Sequence, residues 1–170
     1  MRTIPTYSSP KMQDEVVQNL NALLSSYVEY LYGIARVGEG DDGLTYPQIY
    51  YNDGSEKNMM LFPDNRVKSF GFWEFRGADM LNDDEGVIYS LSFVFWGNLY
   101  RINPSKHYDF TSEIEQNIIK VLVGQNAENI SYTEDGIFDI YSKYSEKERQ
   151  TLMRPNTAFK IDFDIHGFLC

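Results

Sequence analysis

From Met12 to Leu31 apolar residues return every third or fourth position: Met12, Val16, Val17, Leu20, Leu23, Leu24, Tyr27, Val28 and Leu31. Gln13, Asp14, Gln18 and Asn19 fall between them, so the spacing predicts an amphipathic helix with one core-facing stripe. Ser9 and Pro10 fit the N-cap and first helical position, Asp14 and Glu15 suit the positive end of the helix dipole, and Gly33 is the expected stop. A second helix is expected where Phe110, Ile114, Ile118, Val121 and Leu122 share a face. Ser112 and Glu115 stand there at capping-box spacing, with Gly124 as the stop.

Between and after these helices the period changes to two. "LTYPQIYY" reads as a strand whose Pro47 belongs near its start or on an edge. "NDGS" (Asn52–Ser55) has turn chemistry, "KNMMLF" returns as a short strand, and "PDN" (Pro63–Asn65) ends it. "VKSFGFWEF" places Phe70, Phe72 and Glu74 on one side and Trp73 and Phe75 on the other, and "RGADMLNDDEG" reads as the next connection. "VIYSLSFVFWGNLYRI" is the longest strand candidate. It exceeds the usual strand length and is expected to bend at Gly97 or project as an arm. Residues 125–136 are polar and read as loop, "IFDIY" as a short strand, and "SEKERQTLM" as a small exposed helix. "AFKIDFDIHGFLC" alternates without a break and reads as the last strand. The expected fold is α+β: a single domain over residues 1–170, an antiparallel β-meander sheet packed by two amphipathic helices, with a C-terminal strand.

Composition narrows what such a fold does. With 170 residues and 42% hydrophobic content the chain buries a core unaided. A net charge of −10 argues against gripping nucleic acid, which needs clustered Lys and Arg to displace counterions. One cysteine, Cys170, excludes an internal disulfide framework and a Cys-based zinc site. No apolar signal region opens the chain and no stretch approaches a membrane span, so a soluble, intracellular protein is expected.

Candidate chemistry is sparse. Asp162, Asp164 and His166 share one strand face, a donor set that suits zinc, iron or manganese. Lys160 stands in the same row, however, and Phe159, Ile161, Phe163 and Ile165 form an unbroken apolar row behind it. The half-buried strand is therefore the stronger reading, and no metal or other cofactor is expected. His107 sits in "NPSKHYDF" with no G-x-S-x-G elbow anywhere to support a triad. "RVGEGDDG" lacks the Lys-Ser/Thr of a phosphate loop, "NDGSE" and "LNDDEG" miss EF-hand spacing, and Asp83-Asp84-Glu85 is a solvated charge run. No catalytic residue is assigned. Aromatics on both faces of "FGFWEF" mean a strand covered on both sides, an exposed contact patch, or both. Phe72, Trp73, Phe75, Phe95, Trp96 and Tyr100 are the interface candidates.

The layout resembles the tail-terminator (tail-completion) proteins of tailed bacteriophages and related neck components. The resemblance is carried by the order of "PKMQDEVVQNLNALLSSYVEYL", the strands from "YPQIYY" through "FVFWGNLYRI", "SEIEQNIIKVL" and "AFKIDFDIHG"; Gln125–Pro155 is longer than that pattern. It implies a non-catalytic structural subunit of a homo-oligomeric ring at the head–tail junction. Its partners would be other tail and neck proteins, with DNA only as passing cargo and no membrane contact. The protein would be assembled in the host cytoplasm and carried in the virion. The family has no catalytic signature, so no functional residue is carried over. Two other classes compete: an acidic cytoplasmic interaction module, such as an immunity protein blocking a basic toxin, and a small metal-dependent enzyme.

Overall fold

Residues 9–39, 45–50, 58–60, 67–81, 86–133 and 155–167 are described by the structure, a computed structural model. The strand expected at "IFDIY" and the helix expected at "SEKERQTLM" lie outside them.

Helix α1 spans Gln13–Leu24 and buries Val17, Leu20, Asn21 and Leu24. It starts after Met12, whose φ is 54°, without a side-chain cap, so the expected Ser9–Pro10 entry is not used. It also ends seven residues short of Leu31. Ser25 Oγ and Ser26 Oγ donate back to the Ala22 and Leu23 carbonyls, at 2.7 and 3.5 Å, and compete with the next helical turn. "YLYGI" then leaves as strand β1, Tyr30–Ile34. Tyr27 and Leu31, four positions apart, share a face in a helix and in a strand alike; the aromatic-rich run favours strand.

The main sheet has five strands in the order β1-β5-β6-β8-β7, with β5 at Ser69–Met80, β6 at Val87–Asn98, β7 at Glu128–Thr133 and β8 at Asn156–Gly167. β1 runs parallel to β5, and the other pairs are antiparallel, so the sheet is mixed rather than a pure meander. β2 (Arg36–Glu39), β3 (Thr45–Tyr50) and β4 (Asn58–Met60) form a separate three-stranded antiparallel sheet inserted between β1 and β5. Pro47 stands in the central strand β3, opposite Val37. β4 pairs only with Gln48–Tyr50, so the proline lies outside that ladder.

β6 is neither bent at Gly97 nor an arm. It is flanked along its length by β5 and β8, and its last residue, Asn98, accepts the Arg101 N–H at 3.1 Å to start a single helical turn, α2 (Leu99–Ile102). Helix α3, Thr111–Gly124, buries Ile114, Ile118 and Leu122 as the pattern predicted. The expected capping box is absent; Asp109 instead accepts from Thr111 N and Oγ1 at 3.0 and 2.7 Å.

Both helices cover one face of the main sheet. There Trp73, Tyr89, Leu91, Phe93, Phe95, Phe159, Ile161 and Phe163 meet the stripes of α1 and α3. The opposite face is divided along the strands. Toward one end Tyr32, Phe70, Phe72, Val94, Trp96 and Ala158 make a second apolar cluster; toward the other, polar side chains take over.

Candidate functional site

The polar end of that face is built by register. Ser92 lies opposite Asp162 and Ser90 opposite Asp164. The hydroxyls donate across the strands, Ser92 Oγ to Asp162 Oδ1 at 2.5 Å and Ser90 Oγ to Asp164 Oδ1 at 2.6 Å. Arg76 enters from a bulge in β5, where Phe75 pairs with Leu91 and Gly77 with Ser90, leaving one extra residue. Its guanidinium donates to the carbonyls of Leu91 and Phe163 and lies 3.8 Å from both carboxylates. Asn129 Nδ2 reaches Asp164 Oδ2 at 2.8 Å from β7, and Lys160 Nζ pairs with Glu74 at 2.6 Å. Hydrogen bonds from Ser90 and Asn129, with the Arg76 charge, hold the Asp164 carboxyl below its ordinary range.

The sequence-derived triad is therefore spoken for: Asp162 and Asp164 cross-link strands, and His166 is exposed opposite Ile88. Among the described residues no three His, Cys, Asp or Glu side chains cluster to hold a metal. His107 lies at the other end of β6, in a shallow depression of about 60 Å³ lined by Leu99, Tyr100, His107, Tyr108, Asp109 and Pro155. The strand that separates the two imidazoles is roughly 36 Å long at about 3.3 Å per residue, so they share no chemistry. Beside His107, Lys106 pairs with Glu113, which also accepts from Tyr108 Oη at 2.9 Å. This exposed knot ties the loop to the first turn of α3.

Of the six interface candidates, Phe72, Trp73, Phe95 and Trp96 fill the chain's own core. Phe95 stacks on Phe159 at 4.7 Å between centroids, Trp96 on Phe70 at 5.3 Å, and Trp73 Nε1 donates to Asn21. Phe75 and Tyr100 are exposed, at 43% and 57%.

Phe75 belongs to a feature the sequence concealed. "RGADM" read as a connection, yet β5 continues through it to Met80. β1 pairs with β5 only from Phe70 to Trp73, where the ladder closes with Ala35 N donating to Trp73 O at 2.7 Å. Beyond that, β5 has a strand neighbour on one side only among the described residues. Leu81 N donates to Gly86 O at the hairpin end, and Asn98 N to Lys68 O at the other. Alternating inward from both ends across the bulge, the backbone groups of Phe75, Ala78 and Met80 point away from β6. Phe75, Met80 and Leu81 leave substantial apolar surface exposed along that edge. At the far side of the sheet, β7, also read as loop, is the last strand in the order among the described residues. Asn126 and Asn129 adopt φ of 59° and 52°, and its side chains are mostly exposed. Paired left-handed Asn residues around a "NIS" alternation were the available signal, outweighed by the polar composition.

The fold and the site define the class: an α+β domain with a mixed five-stranded sheet, in which part of the β5 edge is open among the described strands. No protein-family model and no curated protein matches the sequence. Among solved structures the chain is similar to the PVC sheath/tube terminator of an extracellular contractile injection system in its extended state. The likeness has a TM-score of 0.36 at 6% identity and covers 94% of this chain. The chain spans 58% of that protein's length, and a likeness at this level does not bear on function.

Proposed function

We propose that this chain is a non-catalytic structural subunit of a ring at the head–tail junction of a tailed phage or phage-like particle. The observation that carries the reading is the β5 edge from Phe75 to Met80, a ladder left open among the described strands beside exposed apolar side chains. Such an edge is a template for another chain, and soluble proteins ordinarily blunt it or use it. Three features support the reading. The carboxylates that looked like chemistry are engaged in holding strands together. The order of elements resembles that of tail terminators. A net charge of −10 suits a passage that DNA traverses without sticking.

Sedimentation and negative-stain imaging of the purified protein, alone and with tail components, test the reading. Rings or a discrete higher oligomer are expected. A protein that remains a single chain and joins no tail component refutes it. Tight, salt-weakened binding of one basic partner by a monomer would establish the acidic interaction module instead.

A further inference from the structure

We infer that the open stretch of β5 pairs with the same stretch of a second copy of this chain, across a two-fold axis normal to the sheet. The two five-stranded sheets then run on into each other. The inference goes beyond the ring reading and does not depend on it: the pair either is the repeating unit of a ring, which needs another contact besides this one, or stands alone. Three observations select the occupant.

The first is the boundary of the edge. β1 takes this side of β5 as far as Trp73, whose carbonyl accepts from Ala35 N, and the hairpin closes where Leu81 N donates to Gly86 O. Between those limits lie the seven residues Phe75 to Leu81, with no strand on that side among the described residues. An incoming antiparallel strand must end or turn away where β1 begins. A second β5 does so at its own Leu81, where its hairpin turns back toward its own β6. Each copy's hairpin thus stops at the other's β1.

The second is register. Hydrogen bonding alternates along an antiparallel pair, so a strand that pairs with itself is centred on one residue. Centred on Gly77, Leu81 of the second copy falls opposite Trp73, where β1 already stands. Centred on Asp79, two carboxylates face each other directly, which destabilises the pair. Centred on Met80, the pairing reaches only from Asp79 to Leu81. Centred on Ala78, it uses the whole stretch, with Leu81 facing Phe75 and Asp79 facing Gly77. Ala78, whose backbone groups point outward, then exchanges both hydrogen bonds with its counterpart at the axis.

The third is the uncovered apolar row. Phe75, Ala78 and Met80 lie opposite Leu91, Tyr89 and Val87, all of the helix-side core, so the three share the helix-covered face. Phe75 and Met80 are nonetheless exposed. Rotation about an axis normal to the sheet keeps the helix-covered faces of both copies on one side. In the Ala78-centred register Met80 of each copy lands beside Phe75 of the other, and a thioether against an aromatic ring is a favourable contact. The contact joins one surface to itself, so it closes at two copies and leaves no β5 edge on which further chains add.

The test uses the full chain with Cys170→Ser, so that introduced cysteines are the only thiols. Ala78→Cys, at the axis, and Ser131→Cys, an exposed comparison on β7, are each treated with a short bismaleimide. Ala78→Cys is expected to give covalent dimers and nothing larger, well above the level that Ser131→Cys gives. Ala78→Pro removes an outward N–H and leaves the β6 ladder intact, and Met80→Lys puts a charge on an exposed position of the edge. Each is expected to keep the wild-type circular dichroism and to sediment as one 19.8 kDa chain where the wild type sediments as two or a higher even number. Association unchanged in a folded Met80→Lys, or cross-linking of Ala78→Cys no better than that of Ser131→Cys, overturns the contact; rings formed by such a protein leave the ring reading in place. Cross-linked dimers that join no tail component establish the contact and refute the ring reading. A wild-type chain that never associates overturns both.

Discussion

Asn21 is a buried amide on an otherwise apolar helix stripe, and it joins three elements at once. Its Oδ1 accepts from Trp73 Nε1 at 2.8 Å in β5, and its Nδ2 donates to the Tyr32 carbonyl at 3.1 Å in β1. Asn21→Ala strands both partners in the core, and each unsatisfied buried group costs about 1–3 kcal/mol. A loss of about 2–4 kcal/mol in urea unfolding is expected, with a shift in tryptophan emission, since Trp73 loses its acceptor. Asp164 gives a second prediction at this scale. Its folded pKa lies below its unfolded one, so its contribution is complete above the ordinary carboxylate range and disappears as pH falls through and below that range. Asp14 has the opposite sign. Burial raises its pKa, so ionising it on the way up in pH costs stability. Thermal melts from pH 6 down to pH 2.5 should therefore fall less steeply for Asp164→Asn than for the wild type, and more steeply for Asp14→Asn.

At the scale of elements, two glycines lie under cross-strand aromatic rings. A Cβ on Gly71 would meet the Phe93 ring at 2.4 Å, and one on Gly167 would meet Tyr89 at 2.4 Å, whereas nothing lies within 4 Å of the corresponding position at Gly77. Gly71→Ala is expected to cost about 1–3 kcal/mol by overpacking. Gly77→Ala, which only reduces the freedom of the unfolded chain, should be neutral or gain a few tenths to about 1 kcal/mol. Chemical denaturation of the pair separates the two effects. This is also the scale at which the sequence was least legible. The cores of α1 and α3, the existence of β6 and the two-faced β8 follow from hydrophobic period, because each has an apolar row, whereas β6 stops at Asn98 and the expected strand runs on to Ile102. The end of α1, the outer half of β5 and all of β7 do not. Tyr27 to Leu31 fits two periods, and "RGADM" has a bulge that resets its alternation at Arg76. Half of the candidate site shared that obscurity. Phe75 was visible as an aromatic at a strand end, while Ala78 and Met80 matter through backbone direction, which side-chain pattern does not encode.

At the scale of the whole molecule, an acidic chain whose β5 edge is open among the described strands should associate through backbone ladders and exposed apolar side chains. Self-association should therefore persist at raised salt, since screening removes repulsion between like-charged copies and leaves hydrogen bonds intact. Sedimentation at 50 mM and 500 mM salt is expected to show oligomers at least as large at the higher value. Duplex DNA mixed with the protein should migrate unshifted in a gel at low salt, the condition most favourable to binding.

The position of β8 in the sheet carries a further consequence, for biosynthesis. β8 is the last described strand along the chain, yet it lies between β6 and β7. Until residues 156–167 leave the ribosome, β6 has one finished side and one bare side. That bare side is a twelve-residue apolar template with nothing to pair with. A nascent chain in this state holds most of its core residues and cannot close the core, because Phe159, Ile161 and Phe163 of the apolar row facing the helices have yet to arrive. Folding is thus forced late and through non-local pairing, the slow regime in which exposed edges aggregate. Products truncated before residue 156 should accumulate as insoluble material, while chains complete through residue 167 should fold.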